Sequence, residues 1–311
     1  MTRSPGARGV GVPERSAPRI PAEKDAIGVI GLGTMGSAMA SNLIKTGIKV
    51  HGFDIVAGPR DQLKQAGGLP ATSVAAVAQL AEMLITSLPS ADALHGVAEE
   101  LHGKGRVVME TSTLPLEDKE RARETLAKKG IVLLDCPLSG TGAQARAKDL
   151  VVFASGDEAA FRKAASFMPG FSRAHYYLGE FGNGSKMKFV ANLLVAIHNV
   201  STAEAFVLGM KAGLDPKTIY DVMANSAGAS RMFQVRGPQM VAGKYDEATI
   251  SVALFQKDMK IIGEFAARHG VATPLFNASA AIYNAAIGQG LEKQDTAAVC
   301  AVLERLGGVK R

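Results

Sequence analysis

The segment Gly31-Leu32-Gly33-Thr34-Met35-Gly36 constrains this chain more than any other. It follows a short apolar run, Ala26 to Ile30, and opens a helix-like stretch that reaches Thr46 and is closed by Gly47. A second short run, Lys49 to Phe53, comes next. Strand, glycine loop, helix and strand in that order form the first unit of a dinucleotide-binding sheet, and each glycine has its own duty there. The first allows a tight turn, the second lets a pyrophosphate approach the backbone, and the third lets helix and strand pack closely. Unpaired amides at the helix start then face the phosphates. Asp54 lies 23 positions beyond Gly31, at the end of the second run, where a carboxylate accepts hydrogen bonds from ribose hydroxyls and repels a 2′-phosphate. NAD is therefore expected ahead of NADP, since Arg60, the next arginine, stands six residues further on.

More short apolar runs follow at 83–87, 106–110, 131–135 and 150–155, with helix-length stretches between most of them. That alternation predicts an α/β fold with a doubly wound parallel sheet. After Gly182 the character changes. Segments 185–213, 216–226, 250–269 and 274–288 are alanine-rich, longer than strands, and separated by turns such as Gly213-Leu214-Asp215-Pro216. The expected organisation is a dinucleotide-binding Rossmann unit over 26–181 and an all-helical unit over 182–311. A length of 311 residues suits two such units, at roughly 150 residues each.

Residues 1–25 hold four prolines, three glycines and five basic side chains with almost nothing apolar to bury, and read as a disordered tail. They lack the apolar stretch of a secretory signal; their arginine and serine content leaves an organelle transit peptide open beside a simple extended start. Two cysteines, Cys136 and Cys300, are too few for a disulfide framework or a four-thiolate metal site, and fit a reducing, cytoplasmic compartment. The six histidines show neither HxH nor HExxH spacing, so no metal is expected. The longest charge-free apolar stretch, 189–203, is 15 residues long, short of the roughly 20 a membrane span needs. Net charge is only +6, tryptophan is absent and aromatics make up 5%, so neither membrane nor nucleic acid is an expected partner, while anionic small molecules are.

Two segments of the chain carry candidate chemistry. Lys188 and Asn192 stand four apart in a stretch expected to be helical, and so share one face. A lysine there faces either solvent or a polar pocket, because burying an unpartnered ammonium is costly. Asp135-Cys136-Pro137-Leu138-Ser139-Gly140-Thr141-Gly142 follows another strand end, where open α/β sheets hold ligands. Its hydroxyls and amides suit a carboxylate, and equally an ordinary turn.

Taken together, the glycine loop with Met39-Ala40 and Asn42-Leu43, then Ser87-Leu88-Pro89, Ser112-Thr113, the stretch 135–140, the stretch 182–192 and Lys257-Asp258 resemble the β-hydroxyacid dehydrogenases, which include 3-hydroxyisobutyrate dehydrogenase and tartronate semialdehyde reductase. The resemblance runs from residue 26 to about 306. It implies a Rossmann domain, a long interdomain helix from Ser185, and a helical domain that joins subunits into a homodimer or homotetramer. It implies that Lys188 is the catalytic acid–base and Asn192 its partner. Ser139, Gly140 and Thr141 fall on the loop for the substrate carboxylate, with Asp258 also at the substrate. The glycine loop, Asp54, Leu88, Pro89, Thr113 and Lys257 fall at the cofactor, NAD or NADP.

The chain departs from the family pattern at Thr141, Gln144 and Lys148, all usually glycine, and at Ala191, usually asparagine. The carboxylate loop is therefore expected to present an extra hydroxyl or to be reshaped. Asn225-Ser226-Ala227-Gly228, Met232-Phe233 and Gln294-Asp295 are similar to the branch acting on threonate-like sugar acids. The implied reaction moves a hydride between NAD(P) and a short hydroxyacid of the 3-hydroxyisobutyrate, tartronate semialdehyde or threonate kind. An imine reductase and a noncatalytic nucleotide-binding module share the scaffold and stay open as alternatives, with Lys188 counting against both.

Overall fold

The computed structural model describes residues 26–310; the expected tail lies outside the described residues. Strands β1 (Ala26–Ile30), β2 (Lys49–Phe53), β3 (Leu69–Pro70), β4 (Met83–Thr86), β5 (Val107–Glu110) and β6 (Val132–Asp135) form one sheet in the order β3-β2-β1-β4-β5-β6. Every pairing is parallel, as in Ile27 beside Val50 and Ile85 beside Met109. Strands β4 and β5 are buried along their whole length, which is why they read as unbroken apolar runs. Helices α1 (Thr34–Lys45), α2 (Ala57–Gln65), α3 (Val74–Leu80), α4 (Ala91–Glu100) and α5 (Leu116–Lys128) supply the crossovers. Two apolar cores result, one holding Val29, Met39 and Met109, the other Ile30, Leu84 and Val108.

The run at 150–155 does not join that sheet. Pro137 follows β6, and the chain turns at Gly140 with φ +138°, so β7 (Leu138–Ser139) pairs antiparallel with β8 (Val151–Ala154). After β7 come α6 (Gly142–Arg146), β8, α7 (Glu158–Ala164) and β9 (Ala174–Tyr177), which pairs parallel with β8. Among the described residues a single antiparallel bridge, Asp135 with Ser155, links the two sheets.

Six α-helices follow among the described residues: α8 (Asn183–Lys211), α9 (Pro216–Met223), α10 (Arg231–Ala242), α11 (Val252–Arg268), α12 (Pro274–Gly288) and α13 (Val299–Gly307). Helix α10 escapes a reading by pattern because Gly237 and Pro238 interrupt it from inside; the Ser230 hydroxyl, accepting from Phe233 N at 3.0 Å, secures its start. Helix α8 has the length and hydropathy of a membrane-crossing segment, 29 residues with a mean of 1.5 over its most apolar window. Here it is the axis of the helical half. Helices α10, α11, α12 and α13 pack against it, and Ala196, Ala203 and Phe206 are fully enclosed. Its polar Asn199 is buried too, donating to the Tyr283 hydroxyl at 3.0 Å.

Candidate active site

The strand ends set the geometry. At the glycine loop, Gly31 adopts φ +88°, and a Cβ there would stand 2.2 Å from the Ser87 carbonyl oxygen. A Cβ on Gly36 would stand 1.9 Å from the Gly31 carbonyl, whereas one on Gly33 would meet nothing within 4 Å. The first and third glycines are thus required by packing, and the second leaves its outer face open. That open face, at the start of α1 where no side chain caps the helix, fits a pyrophosphate. Thr34 is exposed beside it, Leu32 is buried beneath it and Met35 is half-buried.

Asp54 closes the loop from the next strand end. Its Oδ2 accepts from Leu32 N at 2.7 Å and its Oδ1 from Val56 N at 2.9 Å, and each oxygen keeps a lone pair for a ribose. Arg60 donates to the Asp54 backbone carbonyl and lies 5.9 Å from the Phe53 ring centroid. The arginine that looks remote in sequence therefore reaches the same corner. Leu88 N donates to Ser112 Oγ at 2.8 Å, binding the loop after β4 to the loop after β5; Pro89 is exposed just beyond.

Lys188 and Asn192 stand on α8, and α11 brings Lys257 and Asp258 to them. Asn192 Nδ2 donates to Asp258 Oδ2 at 2.8 Å, with both side chains buried. Lys257 Nζ donates to the Thr113 carbonyl at 2.8 Å, crossing from the helical half to the sheet edge. It also lies 3.7 Å from Asp258 Oδ1. No hydrogen bond holds the Lys188 amine among the described residues. Burial lowers its proton affinity below that of an ordinary lysine; Asp258 pulls the other way and Lys257 adds to the lowering. Burial likewise raises Asp258 above the usual carboxylate range, against the pull of Lys188 and Lys257. The lysine is thus shifted towards its neutral form and the carboxylate towards its protonated form, each against the other's pull.

Ser139 ends β7, Gly140 makes the turn, and Thr141 caps α6. Thr141 Oγ1 accepts from Gln144 N at 3.4 Å while Gln144 Oε1 accepts from Thr141 N at 3.0 Å, a reciprocal capping box. Thr141 and Gln144 thus brace the start of α6 together, and the threonine hydroxyl keeps its own proton to donate. Gly142 is wedged in: a Cβ there would stand 2.7 Å from Thr34 Cγ2 and 3.7 Å from the Thr249 carbonyl oxygen. Thr249 is in turn held by Asp295, which accepts from its amide at 2.8 Å, and by buried Arg236. Helix α8 packs against both β7 and β8, so the strand that leads into the loop lies against the lysine helix.

Reading the sequence missed the cluster beneath this site. Lys119 Nζ lies 2.7 Å from Glu110 Oε2 and 2.9 Å from Asp135 Oδ1, with all three side chains at 0% exposure. The sequence signal was present: Glu110 and Asp135 each close an apolar run at a parallel strand's carboxyl end. At the opposite edge of the sheet, a depression of about 360 Å³ lined by Met83, Val107, Lys163 and Phe167 holds none of these residues.

Residues 26–179 match the model of the NAD binding domain of 6-phosphogluconate dehydrogenase. Residues 182–303 match the model described as NAD-binding of NADP-dependent 3-hydroxyisobutyrate dehydrogenase. L-threonate dehydrogenase of Cupriavidus necator is 32% identical over 280 residues, covering 88% of this chain and 94% of that one. Among solved structures, 3-hydroxyisobutyrate dehydrogenase from Salmonella typhimurium superposes with a TM-score of 0.81 at 28% identity, covering 89% of this chain and 99% of the other. An imine reductase from Streptomyces aurantiacus lies further off, at a TM-score of 0.58 and 21% identity over 90% of this chain and 99% of its own, a likeness of fold alone. With a dinucleotide loop, a lysine helix and relatives matched along most of its length, the chain belongs to the β-hydroxyacid dehydrogenase family and is an NAD(P)-dependent hydroxyacid dehydrogenase.

Proposed function

We propose that this enzyme oxidises a short, polyhydroxylated carboxylate of the threonate kind, with NAD preferred and Lys188 as the general acid–base. The observation that carries the reading is the Lys188 amine itself. It is partly sequestered, unclaimed by any hydrogen bond among the described residues, one turn from Asn192 and flanked by Lys257 and Asp258. Bound NAD(P) supplies the hydride acceptor; the protein's own groups handle the proton and the orientation. In oxidation Lys188 takes the hydroxyl proton, and in reduction it returns it. Asn192 has its amide nitrogen committed to Asp258, which leaves Oδ1 to accept from the lysine or the substrate hydroxyl. Ser139, the amide of Gly140 and the Thr141 hydroxyl hold the carboxylate, fixing which carbon is presented. Lys257, anchored on the Thr113 carbonyl, closes the site from the helical side.

Support for a threonate-like substrate comes from the similarity to L-threonate dehydrogenase and from the Thr141–Gln144 capping box, which adds a donor to the carboxylate loop. A homodimer or homotetramer in the cytoplasm completes the proposal. Met187, Val190, Leu194 and Leu208 form an exposed apolar stripe at helical spacing along α8, suited to a second copy, and light scattering reads the subunit number.

The test is a panel of C3 to C5 hydroxyacids, L-threonate included, with NAD and NADP, followed at the reduced nicotinamide absorbance. Lys188→Ala should lower kcat by about three orders of magnitude while NADH still binds by fluorescence. Turnover of cyclic imines with none of hydroxyacids, or full activity without Lys188, would overturn the reading.

A further inference from the structure

Helix α8 starts without a cap of its own, at Gly182. Its first free amides are taken by the sheet edge instead: Gly184 N donates to Ser155 Oγ at 2.9 Å and Ser185 N to Asp135 Oδ2 at 2.7 Å. Ser185 Oγ donates to Asp135 Oδ1 at 2.8 Å. Gly184 permits this seating, since a Cβ there would stand 2.3 Å from the Phe153 carbonyl oxygen. Asp135 therefore grips the first turn with both oxygens, as an anion placed at a helix's positive end.

Such a grip needs an ionised carboxylate in a dry place, and Lys119 provides the countercharge. Burial alone would strip its proton, but Asp135 and Glu110 outweigh that and raise its proton affinity above the ordinary lysine value. On the far side, Glu110 Oε1 accepts from Ser112 N at 2.9 Å, and Ser112 Oγ accepts from Leu88 N at 2.8 Å. A continuous bonded path thus runs from Leu88 at the cofactor loop through Ser112, Glu110, Lys119 and Asp135 to Ser185. Lys188 follows three residues later. Buried ion clusters seldom outperform apolar packing in stability, so the consequence of this one lies in what its oxygens hold.

We infer that Lys119, Glu110, Asp135 and Ser185 are positioning residues for the reaction: they fix the first turn of α8, and with it the Lys188 amine, relative to the strand-end loops that carry Leu88 and Thr113. The inference rests on the acid–base reading of Lys188. Its test is chosen to read the amine without turnover.

Accessible lysines of the whole chain, the half-buried Lys188 among them, are reductively methylated with 13C, the Lys188 resonance is assigned by its loss in Lys188→Arg, and it is titrated by NMR. Asp258 and Lys257, the charged groups facing Lys188 from α11, are the same in every sample compared, Lys257 carrying the methyl label in each. Ser185→Ala should loosen the helix start, admit water, and move the Lys188 midpoint upward by about half a unit. The kcat on the active hydroxyacid should fall about tenfold with KM for NAD within about twofold, since only the reacting group is misplaced. Ser185→Thr, which keeps the hydroxyl, should restore both. Lys119→Met should show the larger effect; where it fails to fold, Ser185→Ala decides alone. An unmoved Lys188 midpoint in Ser185→Ala overturns the inference, including when kcat falls. A wild-type enzyme without hydroxyacid activity would refute the proposed function and still leave the titration to judge the coupling.

Discussion

Asn192 Nδ2 and Asp258 Oδ2 meet at 2.8 Å, so the residue one turn past Lys188 is tied to a carboxylate that also bears on Lys188. Two opposite charges therefore act on one amine, and their signs can be separated. Oxidation requires the neutral amine, so kcat should rise with pH along a limb centred below the ordinary lysine value of about 10.4. Asp258 favours the protonated amine; Asp258→Asn should shift that limb to lower pH. Lys257 disfavours it, and Lys257→Met should shift the limb to higher pH, each by about half a unit to one unit. Profiles of kcat against pH for the three proteins check both directions.

The glycine loop separates folding from binding. Gly33 has open space where a Cβ would sit, so Gly33→Ala should leave the melting temperature of the free protein nearly unchanged, within about 0.5 kcal/mol. NADH affinity should nonetheless fall at least about tenfold, because the methyl occupies the pyrophosphate approach. Gly31→Ala faces both φ +88° and the Ser87 carbonyl, and should destabilise the fold by about 2 kcal/mol or more. Calorimetry with a fluorescence titration distinguishes the two outcomes.

Asp54 shapes the loop and, in the proposed reading, also faces the ribose. Asp54→Ala releases the Leu32 and Val56 amides, so KM should rise for both cofactors. The kcat/KM ratio of NAD to NADP should also fall about tenfold, the scale of one charge-assisted hydrogen bond lost on the NAD side. With Arg60 already at that corner, the variant should gain in NADP use relative to NAD. Steady-state kinetics with each cofactor reads the ratio; an unchanged ratio contradicts the assignment.

Lys148 is the non-glycine residue with positive φ among the described residues, at +60°. Its neighbours hold it there: Asp149 N donates to the Gln144 carbonyl at 2.7 Å. Left-handed backbone costs an L-residue about 1–2 kcal/mol, and the added freedom of glycine in the unfolded chain takes back part of that gain. Lys148→Gly should therefore stabilise the protein by about 0.5–1 kcal/mol and raise Tm by about 1–3 °C, checked by calorimetry.

Much of this was legible in the sequence because it rests on local rules. The glycine loop, the strand after it and Asp54 follow from turn geometry within a few dozen residues. Helix α8 follows from a long apolar stretch with capable helix formers. Other features depend on distant partners. Lys119 lies in a run of charges that resembles a solvated helix face, and only the return of β6 beside β5 puts Asp135 and Glu110 around it. Thr141 and Gln144 look like lost glycines until a five-residue helix gives them a capping box. Strand β7 is two residues long and β9 carries His175 with two tyrosines, so neither had an apolar run to announce it.

The first turn of α8 is bonded to the sheet through Asp135 and Ser155, while α10 to α13 pack against one side of its later turns. The same rod thus belongs to both halves, and each is expected to lose its order with the other. Heating should dissolve them in one cooperative event. Among the described residues one continuous helix carries the junction, so admission of a substrate is expected to flex that rod and swing side chains aside at the rim rather than swivel the halves on a slack tether.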